Sequence, residues 1–364
     1  MRKHSVKHLF PGGNTPQGFF SYYDNIISQK EAKRIFIIKG GPGVGKSSFM
    51  KKVANEMLES GYAVEMLHCS SDPDSLDGVV ICDINVALID GTSPHIVDPG
   101  NPGAVDEIIH LGDYWDESAI VSNKSYIVKC NEEIGSLFKR AYRYLSASMH
   151  FYDDNESIYD SAIDKSICDR IAGEIIAELF GDSLPGNSRG KLRKMFVSAI
   201  TPKGVVNYID FAAKGRIFAF KVPAGFNVSD IMNQISSEAV KRGFNSEAYC
   251  SPLRPWEIEH LVINELDASF ITSNNYHSTS LPVYKEIDFT DIIHAAVIKD
   301  EYLSEVIAYN FCKFDELLNK SIETIRQAKK LHDELETYYT PHMDFEAVDR
   351  CLEQLLCRLD YSLN

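Results

Sequence analysis

The chain has 364 residues, 44% hydrophobic and 24% charged, which suits about two globular domains and excludes a disordered protein. Lys plus Arg number 37 against 52 Asp plus Glu, and the net charge of −15 argues against a nucleic-acid coat or an anionic-membrane binder. No stretch approaches the run of about 18 apolar residues that a membrane helix needs. The opening MRKHSVKHLF lacks the apolar centre of a secretory signal, and the eight cysteines are scattered with no Cys-x-x-Cys pair. Zinc and disulfide frameworks are therefore poor readings, and a cytoplasmic protein is expected.

The first strong element is the apolar run at residues 35–38, read as a buried strand. It leads into Gly40, Gly41, Pro42, Gly43, Val44, Gly45, Lys46, Ser47 and Ser48, of which 40–47 fit G-x-x-x-x-G-K-[ST]. Glycines let the backbone curl so that its amides converge on a polyphosphate, and the positive end of the following helix adds attraction. Lys46 is expected to reach the β- and γ-phosphates as the catalytic cation, and the Ser47 hydroxyl to hold Mg²⁺. A helix is read over 46–59, stopping at Gly61, with strands at 63–67 and 86–89. Strand, helix and strand in alternation predict a parallel sheet with right-handed crossovers.

Asp90 ends the strand V-A-L-I-D and is the expected metal-associated acid. Gly91 follows it where a second acid would supply a water-activating base. Substitutes lie in HCSSDPDSLD (residues 68–77), where Asp72, Asp74 and Asp77 would orient a nucleophile, contact metal or bind a second substrate; Asp72 is the chosen catalytic candidate. The alternative is a solvated turn, since Asp, Ser and Pro are turn formers. His95 reads as a structural hydrogen-bonding residue. The basic cluster Lys139, Arg140 and Arg143 reads as a solvated helix face rather than a phosphate contact. Helical stretches at 124–148 and 171–180 follow, serving as a lid, an interface or packing, with packing as the default.

The chain then repeats itself. RIFIIK at Arg34 returns as RIFAFK at Arg216, EMLESG at Glu56 as EAVKRG at Glu238, and His95 as His277, all at an offset of 182. Thr15-Pro-Gln-Gly returns as Thr201-Pro-Lys-Gly at 186. Two homologous domains, 1–182 and 183–364, joined by a linker near 181–189, are expected, each with a helical arm; in the second the arm lies at 315–338 and 345–359. The second copy replaces Gly40, Gly45 and Lys46 by Val222, Asn227 and Val228, and Asp90 and Asp72 by Thr272 and Arg254. Valine cannot donate to phosphate, so this loop reads as degenerate. That phosphate, metal and acid positions change together is what a single site containing Lys46, Asp90 and Asp72 would produce.

The segments GGNTP, KGGPGVGKSS, HCSSDPDSLDG and ALIDGTSPH together resemble a bacterial family of tandem P-loop ATPases, over nearly the whole chain. The resemblance implies two P-loop NTPase-like α/β domains and ATP with Mg²⁺ at residues 40–47, and supplies no further substrate. The function expected is a Mg²⁺-dependent ATPase with one active site and a regulatory or structural second copy. A small-molecule or nucleotide kinase, and a nucleotide-gated interaction protein with little turnover, are the other readings. No guanine-reading Asn/Thr-Lys-x-Asp is present, and neither a membrane nor a nucleic acid is an expected partner.

Overall fold

The computed structural model describes residues 6–181, 186, 188–290, 293 and 300–361. The expected linker at 181–189 lies largely outside the described residues.

Each half builds a six-stranded sheet with the same order. In the first, the neighbours run Val6–Leu9, Val64–Cys69, Asp72–Ile81, Val86–Asp90, Arg34–Lys39 and Asp106–His110. In the second they run Leu192–Met195, Ser246–Cys250, Ile258–Ile263, Ala268–Ser273, Arg216–Lys221 and Lys285–Asp288. The internal duplication is thus present in strand order as well as in sequence. No helix among the described residues is long and apolar enough to cross a membrane.

The all-parallel sheet expected from the sequence is corrected to a mixed, mostly parallel one. Asp72–Ile81 runs antiparallel to both of its neighbours. The chain reaches it from Val64–Cys69 by a direct reversal at Ser70 and Ser71 rather than by a crossover. Turn-forming Asp, Pro and Ser residues open this strand, and register shifts after Leu67 and His68 accommodate them. Beyond them Leu76, Val79 and Ile81 supply the buried face.

Alternation along the strands sets the layers. Ile35 and Ile37 pack with Ile217, Ile271 and Val262 in a core shared between the two sheets, while Phe36 and Ile38 face outward to helices. The arrangement is helix, sheet, sheet, helix. Where the halves meet, Lys7 binds Glu247 at 2.7 Å and Arg193 binds Glu65 at 2.7 Å, pairing opposite charges across the halves.

The helical arms are longer than the sequence suggested. The first spans Lys124–Ala162 and the second Glu301–Glu336. They pair antiparallel: Ile127 clusters with Leu335, Ser321 Oγ donates to the Ala141 carbonyl, and Asn310 Nδ2 donates to Asn155 Oδ1. Each arm thereby carries its terminal helix across to the other half. Val348, Leu352, Leu355 and Leu359 of Phe345–Tyr361 pack with Phe49, Met50 and Val53 of the first half. Reciprocally, Ala172, Ile175 and Phe180 of Lys165–Phe180 pack with Ile231 and Ile235 of the second half. Each outer core is closed by a helix from the opposite half. Lys139, Arg140 and Arg143 are exposed on the first arm.

Candidate functional site

The glycine-rich loop follows the strand Arg34–Lys39 and opens directly into the helix Lys46–Glu59. Gly43 and Gly45 take φ of +70° and +92°, values that side chains resist, and Gly45 caps the helix in the left-handed region. A turn of this kind can present backbone amides to an anion at the positive end of the helix. Lys46 Nζ donates to the carbonyls of Gly40 at 3.1 Å and Gly41 at 2.8 Å and lies 3.7 Å from Asp90 Oδ2, so the ammonium is held over the loop.

Asp90 is buried, and its Oδ1 accepts from the Thr92 amide at 2.9 Å and hydroxyl at 2.6 Å. Its other oxygen is left to the Lys46 side. Ser47 Oγ accepts from the Leu76 amide at 3.0 Å, which retains the hydroxyl proton and one lone pair for another partner. Two oxygen donors of this kind fit a hard divalent cation such as Mg²⁺. The structure thus brings Lys46 and Asp90 together, with Ser47 next to Lys46 at the start of the helix.

The three acids after Cys69 separate. Asp72 accepts from Ser75 Oγ at 2.8 Å and faces Lys329 Nζ at 3.3 Å. Asp74 is exposed and paired with Lys203. Asp77 is buried 3.6 Å from His95 Nε2; burial pushes the imidazole pKa down, but the Asp77 carboxylate outweighs this and raises it. The second half keeps that pair as Glu259 and His277 at 3.0 Å, beside a loop that has lost its lysine. A latch common to both halves is structural, as expected for His95.

The residues that sequence reasoning missed come from the second arm. The segment from Glu336 to Phe345 lies on the glycine loop, and Thr340 Oγ1 donates to the Gly43 carbonyl at 3.3 Å. A Cβ on Gly43 would sit 2.5 Å from Thr340 Oγ1, and one on Gly41 would sit 2.9 Å from the Tyr339 ring. These glycines therefore also admit the arm. The signal is a second repeat, at an offset of 180: Asp153, Glu156 and Tyr159 in the first arm return as Asp333, Glu336 and Tyr339.

The second loop has lost its phosphate-binding residues, although a cavity of about 550 Å³ lined by Glu156, Asp160, Phe226, Asn227 and Asp230 lies beside it. Val222 and Val228 are each 3% exposed. Asn227 Nδ2 donates to Glu156 at 3.0 Å and Glu257 at 2.9 Å, and Arg254 bonds Asp153, Glu156 and Glu257. Buried valines and these ion pairs stand where the first loop has its glycine and lysine.

Glu259, His260 and His277 cluster closely enough to suggest a metal. However, His260 Nδ1 accepts from the Thr272 amide at 3.1 Å, which puts the neutral ring's proton on Nε2, the atom 3.7 Å from Glu259. That atom is a donor, not a ligand. Burial pushes the Glu259 carboxyl up, but His277 reverses this and holds it at about 2; burial, with His277 adding to it and Glu259 opposing it, pushes His260 down to about 3. Between about pH 6.5 and 3, His260 takes up a proton in the unfolded chain but not in the native one. Its contribution to stability is fully present above pH 6.5 and falls by about 1.4 kcal/mol per pH unit below it. Urea unfolding from pH 7 to 4 should show a shallower acid loss, by about that slope, in His260→Gln.

Ala at Gly43 tests the loop–arm contact. Gly103 has a similar φ of +76° but open space around its missing Cβ, so Gly103→Ala isolates the backbone cost of about 1–2 kcal/mol. Gly43→Ala is expected to cost clearly more in urea unfolding, the excess reporting Thr340.

The chain matches no family model, no curated protein and no solved structure.

Proposed function

We propose that the chain is a P-loop NTPase that binds Mg²⁺·ATP at residues 40–48 of its first half and hydrolyses it, with the second half serving as a structural and regulatory partner. The observation that carries this reading is the loop itself: left-handed glycines, a helix N-terminus, and Lys46 poised beside Asp90 and Ser47. When bound, Mg²⁺ would be held by Ser47 and Asp90 and would offset charge on the β- and γ-phosphates. The loop amides would fix the phosphate chain and Lys46 would meet its outer oxygens, chemistry that is mostly positioning and charge neutralisation.

A nucleotide-gated reading has one observation in its favour, the second-arm segment resting on the loop, through which an occupied loop would move the arm. Both readings place ATP at the same residues and differ in turnover. Phosphate release from Mg²⁺·ATP and Mg²⁺·GTP by the full chain tests the proposal: steady release from ATP supports hydrolysis, and tight ATP binding without release supports the gate.

A further inference from the structure

The first-half site is incomplete within its own half. We infer that Lys329, on the second arm, is the cation delivered from the second half to the γ-phosphate of the nucleotide bound at residues 40–48, and that Asp72 holds it ready. This rests on the reading of the loop as an ATP site.

Three observations carry it. First, the second arm is docked on the intact loop, with Glu336 and Thr340 against Gly43, and Lys329 lies two helical turns before Glu336 on the same helix. Its ammonium reaches Asp72 Oδ2 at 3.3 Å, at the start of the strand whose Leu76 amide binds Ser47 Oγ. Second, the arms can be compared at their offset of 180. Asp, Glu and Tyr at 153, 156 and 159 return at 333, 336 and 339, yet Lys329 answers Met149. The shared residues serve both arms; the cation belongs only to the arm facing the intact loop.

Third, the charge pairing is reversed between the sites. At the second loop the base is on the loop side, Arg254, and it is paired with the arm acids Asp153 and Glu156 together with Glu257. At the intact loop the acid is on the loop side, Asp72, and the base is on the arm, shared with Asp333 one turn on. An ammonium held by exposed-side carboxylates is free to change partners when several phosphate charges arrive, whereas Arg254 is paired with three acids. The absence of an acid after Asp90 does not affect this role, because a cation stabilises charge and takes no proton.

In the step, the water oxygen bonds the γ-phosphorus and the bond to the β,γ-bridging oxygen breaks, its electron pair leaving on ADP. Both water protons leave with the product as dihydrogen phosphate. Lys329 would neutralise charge gathering on the γ-oxygens, making it a catalytic residue, and Asp72 a positioning residue.

The test uses the full chain, wild type, Lys329→Ala and Lys329→Arg, with three readouts: affinity for Mg²⁺·ATP, affinity for Mg²⁺·ADP with aluminium fluoride, and single-turnover hydrolysis. Lys329→Ala is expected to slow hydrolysis by about 10³-fold and to weaken the aluminium fluoride complex by at least about 100-fold, with ATP affinity within about 3-fold. Lys329→Arg, which keeps the charge and the fold, is expected to retain a tenth or more of the rate. A purely structural lysine would weaken both ligands alike. Hydrolysis by Lys329→Ala within about twofold of wild type overturns this inference while leaving the ATP site standing, and so does a Lys329→Arg as slow as an alanine variant that is folded. A wild type that binds ATP but never hydrolyses it overturns the inference as well. A wild type that does not bind ATP overturns the reading of the site itself.

Discussion

Lys46→Ala is expected to abolish measurable ATP turnover and to weaken Mg²⁺·ATP binding by about 100-fold. The side chain lies on the carbonyls of Gly40 and Gly41 with Asp90 at 3.7 Å, so its ammonium is already positioned at the loop. Removing one preorganised charge-assisted contact from such a site costs about 3 kcal/mol, and the loss is greater where charge builds up in the transition state. The substitution also leaves Asp90 buried without its nearby cation, so a lower Tm is expected alongside the lost binding. Lys46→Arg separates the two effects, since it keeps the charge while misplacing it. Calorimetric titration and phosphate release measure both.

The second large effect crosses the chain. Leu352 and Leu355 belong to the terminal helix of the second half, yet they pack on Phe49, Met50 and Val53 of the first. Truncation of a buried leucine costs about 2–5 kcal/mol, so Leu352→Ala with Leu355→Ala removes much of the margin of an ordinary protein. The loss is expected in the half that carries no substitution. Hydrogen exchange should show residues 34–90 losing protection more than 216–273, and ATP affinity should fall with it. Equal loss in both halves, or loss confined to the second, would contradict the exchanged-helix packing.

Much of this was legible in the residues. The offset of 182 revealed the duplication, and the glycine spacing gave the loop, the helix behind it and Asp90 at the end of a neighbouring strand. The strand Asp72–Ile81 was hidden because its first residues are turn formers and its pairing survives only through register shifts. The destination of the terminal helices was hidden for a different reason. In a duplicated chain, an apolar helix face fits the sheet of either copy, so pattern alone does not distinguish packing at home from exchange. Only the antiparallel pairing of the two arms decides it. For the same reason Lys329, Glu336 and Thr340 could not be linked to the loop from spacing, although the Asp-x-x-Glu-x-x-Tyr repeat at an offset of 180 marked both arms.

The most direct test of the central claim is the number of ATP molecules bound per chain in the presence of Mg²⁺, by titration of the wild type and of Lys46→Ala. One in the wild type and none in the variant is the expected result, because one loop carries Lys46 beside Asp90 and the other has buried Val228 in that place, with Asn227 tied to Glu156 and Glu257. Two per chain, or one that survives the loss of Lys46, would contradict it.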